Sequence, residues 1–545
     1  MNFLMRIFLS SRNFLLIFGV AYLVAKLLQI FDHPTASSLT SIGGFLLALY
    51  FAWDALTYKG GVKSSVADVK ADAANLKKLA KGFDPEHYIN LKKGIFLGLD
   101  GSRKPVYYPR HVIDKNHIEI LGETGVGKSS LAGVLLSQLA AAGETVVAFD
   151  PKVDKKLPGV LARMGKKFGF PVYIVDLRPK VGPQLNPFKG CSREEIEELL
   201  QVSMDLGKSD DAAVDFHRGN DREGTEWIAE TCQDGGADLL SLVSAGSRDE
   251  RVTEQKNLWR QLRQLGRVRA FHTKDGLDLS AVLNKPGVLY IFGSTTRHEV
   301  IGGQKLILQR VLQILENRTD KSRPACFFLD ELKYLLSPAA LRAAGTVRDR
   351  NAHLVFAHQS LGDLADCPGL SPKAVVGAIW GNCGLKFIYK LPDDETPRRL
   401  EVMCGQAASE TASINKSAAG ESVSHRVETR PHMPAHTFTH LPKPETVEAS
   451  VGVVYGRGPA FFLATRWLKS GPAPAPVIVS ESGAEPPPEL RGADAPIATL
   501  DDEQEHPAER QAEADAGETE AARAAAPSST AADLSDLLRD LSHPR

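Results

Sequence analysis

The sequence lacks the marks of a disulfide-built or zinc-held protein: its six cysteines, Cys191, Cys232, Cys326, Cys367, Cys383 and Cys404, include no CxxC pair and show no metal-like spacing with histidine. Buried thiols in a reducing compartment are expected instead. Lysine is absent from residue 471 onward, where 16 Asp and Glu face five Arg for a net of −11. The whole chain of 545 residues carries −1, so the first 470 residues stand at +10, a basic body with an acidic tail. Such a body suits a polyanionic partner, although an excess this moderate does not by itself identify one. Lys and Arg are also absent from Asp32 to Ser38, a short gap between two apolar runs.

Those runs, Phe14–Phe31 and Leu39–Leu56, are each eighteen residues long, broken by Lys26 and ended by Asp54, and each is just long enough to cross a bilayer core of about 30 Å. No small-x-small cleavage site separates them, which excludes a simple signal peptide. Arg6 and Arg12 precede the first run, and Lys59, Lys63, Lys70, Lys77, Lys78 and Lys81 follow the second. The expectation is a transmembrane hairpin, in contact with lipid, with both termini cytoplasmic.

The next feature is chemical. An apolar strand, His117–Leu121, runs into Gly122-Glu123-Thr124-Gly125-Val126-Gly127-Lys128-Ser129, and a helical pattern from Ser130 to Ala142 ends at Gly143. Glycines at these spacings let backbone N–H groups curl around phosphates at a helix N-terminus, with Lys128 reaching the β/γ-phosphates of ATP and Ser129 holding Mg2+. Nucleotide hydrolysis also needs carboxylates, and Ala325-Cys-Phe-Phe-Leu-Asp330-Glu331 ends an apolar strand with two. Asp330 is the candidate to hold the Mg2+ shell and Glu331 to polarise the attacking water.

Further strands, Glu144–Phe149, Val172–Leu177, Val288–Gly293, His353–Ala357 and Leu385–Leu391, alternate with helical patterns and predict an α/β domain with a parallel core. The 202 positions between Lys128 and Asp330 exceed what such a core needs, so an insertion is required. Cys191 to about Lys274 is polar and helix-patterned (Glu195–Met204, Thr225–Thr231, Arg251–Leu265), which predicts an all-α domain. Its end gathers Arg260, Arg263, Arg267, Arg269, His272 and Lys274 around Trp259 and Phe271; this is either a nucleic-acid contact or a solvated face over a core tryptophan.

The order of hairpin, G-x-T-G-x-G-K-S, Asp150-Pro-Lys152, Leu185-Asn-Pro-Phe188, helical insertion, Leu329-Asp-Glu331, Gln359-Ser360 and Asp394-Glu-Thr396 resembles the type IV secretion system coupling proteins, the conjugative DNA-transfer coupling ATPases. The resemblance covers about residues 10 to 465. It implies a RecA-like P-loop domain that forms a homohexamer on the cytoplasmic face and translocates DNA, together with a relaxase or other cargo protein, into secretion-channel components. It also implies Gln359 as the residue sensing the γ-phosphate and an arginine supplied by a neighbouring subunit, Arg348 first and Arg350 second. Val153 departs from the family, many members of which carry glycine after Lys152.

Two other readings are weighed. Ile301-Gly-Gly-Gln304 and His358 are reminiscent of an ABC-like transporter ATPase, but the phosphate-binding serine of that signature is missing. An ATP-binding membrane scaffold that moves only protein, or nothing, would lack DNA-stimulated turnover. Asn284-Lys-Pro-Gly287 lacks the aspartate that reads guanine. These readings divide the chain into a transmembrane hairpin (1–58), a linker (59–105), the first part of the nucleotide-binding domain (106–190), an all-α insertion (191–280), the second part (281–468) and a disordered acidic tail (469–545). Within the tail Leu534, Leu537, Leu538 and Leu541 fall at helical spacing, so residues 530–541 are expected to fold on a partner's groove.

Overall fold

The computed structural model describes residues 75–479, apart from 209–211, 232–235, 319–322, 368–369, 418–419 and 445–447, together with Lys26. The two expected membrane spans and the leucine-patterned segment 530–541 lie outside the described residues. Among the described residues no helix is long and apolar enough to cross a membrane. The five described cysteines are free, and four of them are buried.

Thirteen strands are described: β1 Ile95–Asp100, β2 Pro105–Tyr108, β3 Ile118–Leu121, β4 Thr145–Asp150, β5 Val172–Asp176, β6 Gly287–Phe292, β7 Ala325–Leu329, β8 Ala352–His358, β9 Leu385–Ile388, β10 Gln406–Ser417, β11 Gly420–Pro431, β12 Ser450–Tyr455 and β13 Phe461–Thr465. Eleven of them form one sheet in the order β2-β1-β13-β12-β9-β3-β8-β7-β4-β6-β5, and β10 and β11 pair separately as a hairpin. From β9 to β5 all seven strands are parallel. Apolar residues dominate their sequences on both faces rather than alternating with exposed polar ones, because helices cover the sheet on both sides. Phe149, Phe327, Phe328 and Phe356 in these strands are at most 2% exposed, and burying each such ring contributes about 1.5–3 kcal/mol.

The other four strands correct the expected boundaries. Residues 59–105 are not linker throughout, since β1 and β2 join the sheet antiparallel to β13 and to each other. β12 then bridges β13 to the parallel half by pairing antiparallel with β9. The boundary at 469 also moves: Gly471 N–H donates to Gly159 O (3.0 Å), Val477 N–H to Ile174 O (3.3 Å) and Val479 N–H to Pro183 O (2.9 Å), so the chain stays docked at least to Val479.

The helix Lys128–Ala141 is buried along nearly its whole length. Its one long polar side chain in the core, Gln138, donates to Phe96 O (2.8 Å) and accepts from Phe96 N–H (2.9 Å), pairing with β1 as a strand would. Between β5 and β6 the described residues contain helices and turns but no strand: Arg193–Ser203, Ala212–Glu230, Leu239–Arg248, Glu250–Glu254, Lys256–Leu265 and Leu279–Leu283. Two of these differ from expectation. Thr225–Thr231 is the end of a longer helix, and Arg251–Leu265 breaks at Gln255 (φ −79°, ψ 79°), with Asp249 capping the first piece through Arg251 N–H (2.9 Å). Leu258, Leu262 and Leu265 are buried, while the Arg263 guanidinium stacks on Trp259 at 5.5 Å. The motif Leu185-Asn-Pro-Phe188 fastens the segment: Asn186 Nδ2 donates to Ala237 O (2.8 Å) and Lys274 O (3.1 Å), and Asn186 Oδ1 accepts from Phe188 N–H (3.0 Å).

Candidate nucleotide site

Four neighbouring parallel strands, β3, β8, β7 and β4, end side by side, and each leads into one of the motifs: the glycine loop, Gln359-Ser360, Asp330-Glu331 and Asp150-Pro-Lys152. Ligand sites of open α/β sheets lie beyond such carboxyl ends.

The loop needs its glycines. Gly122, Gly125 and Gly127 have φ of 149°, 80° and 114°. A Cβ at Gly127 would lie 2.1 Å from Ser450 Oγ, and one at Gly122 would lie 2.7 Å from Val126 Cγ2. Glu123 forms ion pairs with Lys443 Nζ (3.1 Å) and Lys390 Nζ (3.5 Å), while Thr124 and Gly125 are exposed. Lys128 is buried, with Nζ donating to Gly122 O (2.6 Å) and Glu123 O (3.0 Å). Burial lowers its pKa against the raising effects of Asp330 and Glu331. Ser129 is half-buried and Ser130 buried in the first turn of the helix.

Burial, together with the neighbouring Asp150 carboxylate, pushes Asp330 up to about 7 in spite of Lys128. Glu331 is 3% exposed, adopts left-handed backbone (φ 45°) and pairs with Lys152. Asp150 organises the adjoining turn by accepting from the N–H groups of Lys152 (3.1 Å), Val153 (2.8 Å) and Asp154 (2.6 Å), and from the Tyr290 hydroxyl (2.6 Å). Val153, the departure from the family, holds φ 62°, a conformation that a β-branched residue rarely adopts.

Gln359 is half-buried, and its N–H donates to Asp363 Oδ2 (2.8 Å). Thr396 Oγ1 accepts from Leu361 N–H (3.1 Å) and donates to Asp393 Oδ2 (2.6 Å), so the Asp394-Glu-Thr396 motif supports the segment after Gln359. Arg348 and Arg350 stand apart, in a 3-10 turn (Val347–Arg350) before β8, at the opposite edge of the sheet; Arg348 is exposed. In this chain neither joins the other site residues.

Some supporting residues were not readable from local sequence. Beneath the site, wholly buried Glu119 on β3 accepts from His358 Nε2 (2.8 Å) and pairs with Lys386 on β9. His358 Nδ1 is bonded to Ser360 O (2.9 Å), so this histidine is tied down within the sheet and does not serve as a switch. Gly302 and Gly303 lie within the helix His298–Glu316, where a Cβ at Gly302 would lie 2.6 Å from Ser203 O. They allow close packing, and the transporter-like reading loses both its features.

The comparisons agree with this geometry. The family model for the TraM recognition site of TraD and TraG matches residues 324–443, and that for the central domain of the helicase HerA matches residues 97–154. The chain is 29% identical over 309 residues to mobilization protein A of Escherichia coli, an alignment covering 56% of this chain and 57% of that one. It thus spans little more than half the length of that curated relative. Among solved structures, the unbound bacterial conjugative coupling protein TrwBdeltaN70 gives a TM-score of 0.52 at 16% identity, covering 75% of this chain and 94% of that one. TrwB in complex with ADP and Mg2+ gives 0.51 at 15% identity, covering 74% and 95%. At such identities the likeness is one of fold.

Fold and site together define a P-loop NTPase built on a large RecA-like sheet. Within that class, the resemblance to the type IV secretion system coupling proteins is borne out by the family models, the relative and the fold.

Proposed function

We propose that the chain is an ATP-hydrolysing motor, anchored in the bacterial inner membrane by residues 1–58, that couples DNA and a bound cargo protein such as a relaxase to a type IV secretion channel. The observation that carries this reading is the convergence of Lys128, Asp330, Glu331, Lys152 and Gln359 at four adjacent strand ends. The residues fit a magnesium nucleotide: a glycine cradle that a Cβ would fill, a hydroxyl at Ser129 on a helix N-terminus, and in Asp330 a carboxyl at the end of β7 beside the loop lysine. Ser129 and Asp330 would hold Mg2+, which supplies positive charge against the phosphates.

Lys128 then leaves the loop carbonyls for the β/γ-phosphates. Glu331 polarises water, which requires that Lys152 share or release it, and Gln359 reads the γ-phosphate from the end of β8. Arg348, too far round the sheet for its own site, serves the neighbour's site in a homohexamer. Backbone tracking by such a ring is electrostatic and weakly sequence-specific. The region matching the TraM recognition model is the place for a DNA-processing partner to dock.

The test is the ATPase rate of the protein lacking residues 1–58, with and without DNA, as salt is varied. DNA-stimulated, salt-sensitive turnover is expected, and Lys128→Ala abolishes it. Turnover indifferent to DNA at every salt concentration would turn the reading toward a protein-moving scaffold.

A further inference from the structure

The opposite edge of the parallel sheet holds a second cluster that the motor reading does not use. Asp114 ends the helix Arg110–Asp114, Glu144 immediately precedes β4 and His353 is the second residue of β8. One ligand atom from each lies within 4.8 Å of the others. His353 and Glu144 are fully buried, with His353 Nε2 2.9 Å from Glu144 Oε2. Asp114 Oδ1 and Glu144 Oε1 are buried without a hydrogen-bond partner outside the cluster, and the far side of the His353 ring lies against the Cys326 thiol. Arg110 Nε, 3.4 Å from Asp114 Oδ2 and 3.6 Å from Glu144 Oε1, provides one positive charge against two carboxylates.

We propose that Asp114, Glu144 and His353 form a binding site for a divalent transition-metal cation of the zinc class. Two carboxylate oxygens and an imidazole nitrogen are the donors such an ion takes, and magnesium, which prefers oxygen alone, is disfavoured by the imidazole. Asp150, the last residue of β4, lies six residues along the strand from Glu144, about 20 Å at 3.3 Å per residue, so this ion is distinct from the one at the nucleotide site. It would clip a short helix to the starts of β4 and β8, residues 209 apart in the chain.

The experiment uses the full chain, stripped with chelator and titrated with Co2+ without nucleotide. One equivalent is expected to bind with visible d–d absorption, to be displaced by Zn2+, and to raise the melting temperature. Glu144→Gln and His353→Gln should weaken binding by at least about tenfold. Asp114→Asn, at a half-buried helix end, gives the same test should those two fail to fold. Asp330→Asn should retain the absorption. No absorption in the unaltered protein, equal affinity in Asp114→Asn, or loss in Asp330→Asn would each overturn the assignment.

Discussion

The two edges of the parallel sheet use the same chemistry, carboxylates beside cations, in different mechanical settings. At the edge where β3, β8, β7 and β4 end, Val153 and Glu331 hold left-handed backbone although neither suits it, at about 1–2 kcal/mol each. The charged groups there rest on contacts that can be exchanged: Lys128 on loop carbonyls and Glu331 on Lys152. At the other edge left-handed backbone falls to Gly143, Gly287 and Asn351, which tolerate it, and the cluster around Glu144 converges on one point. Of the two ends, poorly tolerated left-handed backbone stands at the one with exchangeable contacts, and tolerated geometry at the one whose cluster holds strands together.

Changing Glu331 to Gln should have the largest effect, because it keeps the shape of the strained edge and removes only the base. Turnover should fall by about 10²–10⁴-fold while nucleotide affinity is retained. Equal losses of rate and affinity, measured by steady-state kinetics and equilibrium binding, would show that the residue holds nucleotide instead.

Between the edges lies the buried Glu119–His358–Lys386 group, and Glu119→Ala would strand the Lys386 ammonium in the sheet and leave the His358 ring without its partner. A loss of about 3–5 kcal/mol in denaturant unfolding is expected. An unchanged midpoint would mean that the group relaxes toward solvent.

Val153→Gly is the smallest and most direct probe of the strain. Stability should rise by about 1 kcal/mol, the relief of left-handed backbone exceeding the entropy of the added glycine. A drop in melting temperature would show that the valine side chain contributes more through packing than its backbone costs.

The parallel half was legible because its strands are predominantly apolar runs between helical patterns, and the P-loop and Asp330-Glu331 could be read because their spacing is dictated by phosphate and metal chemistry. The antiparallel strands were harder to see. β10 and β11 carry mostly polar residues, and β1 follows a lysine-rich stretch that reads as linker. The break at Gln255 has no Pro or Gly to announce it. Glu144 and His353 belong to separate strand signals, and only the sheet, by placing β4 two strands from β8, brings them together. The pairing of Lys152 with Glu331 is likewise a product of topology, since β4 and β7 are neighbours in the sheet and far apart in the chain.

Gln138 joins the helix that follows the P-loop to Phe96 on β1 through both its donor and its acceptor. Breaking that pair would leave buried polar atoms unsatisfied at about 1–3 kcal/mol each, more than thermal fluctuation supplies freely. Helix and strand therefore move as one lever. A displacement of the helix is felt at β1, in the antiparallel half of the sheet, with no slack between them.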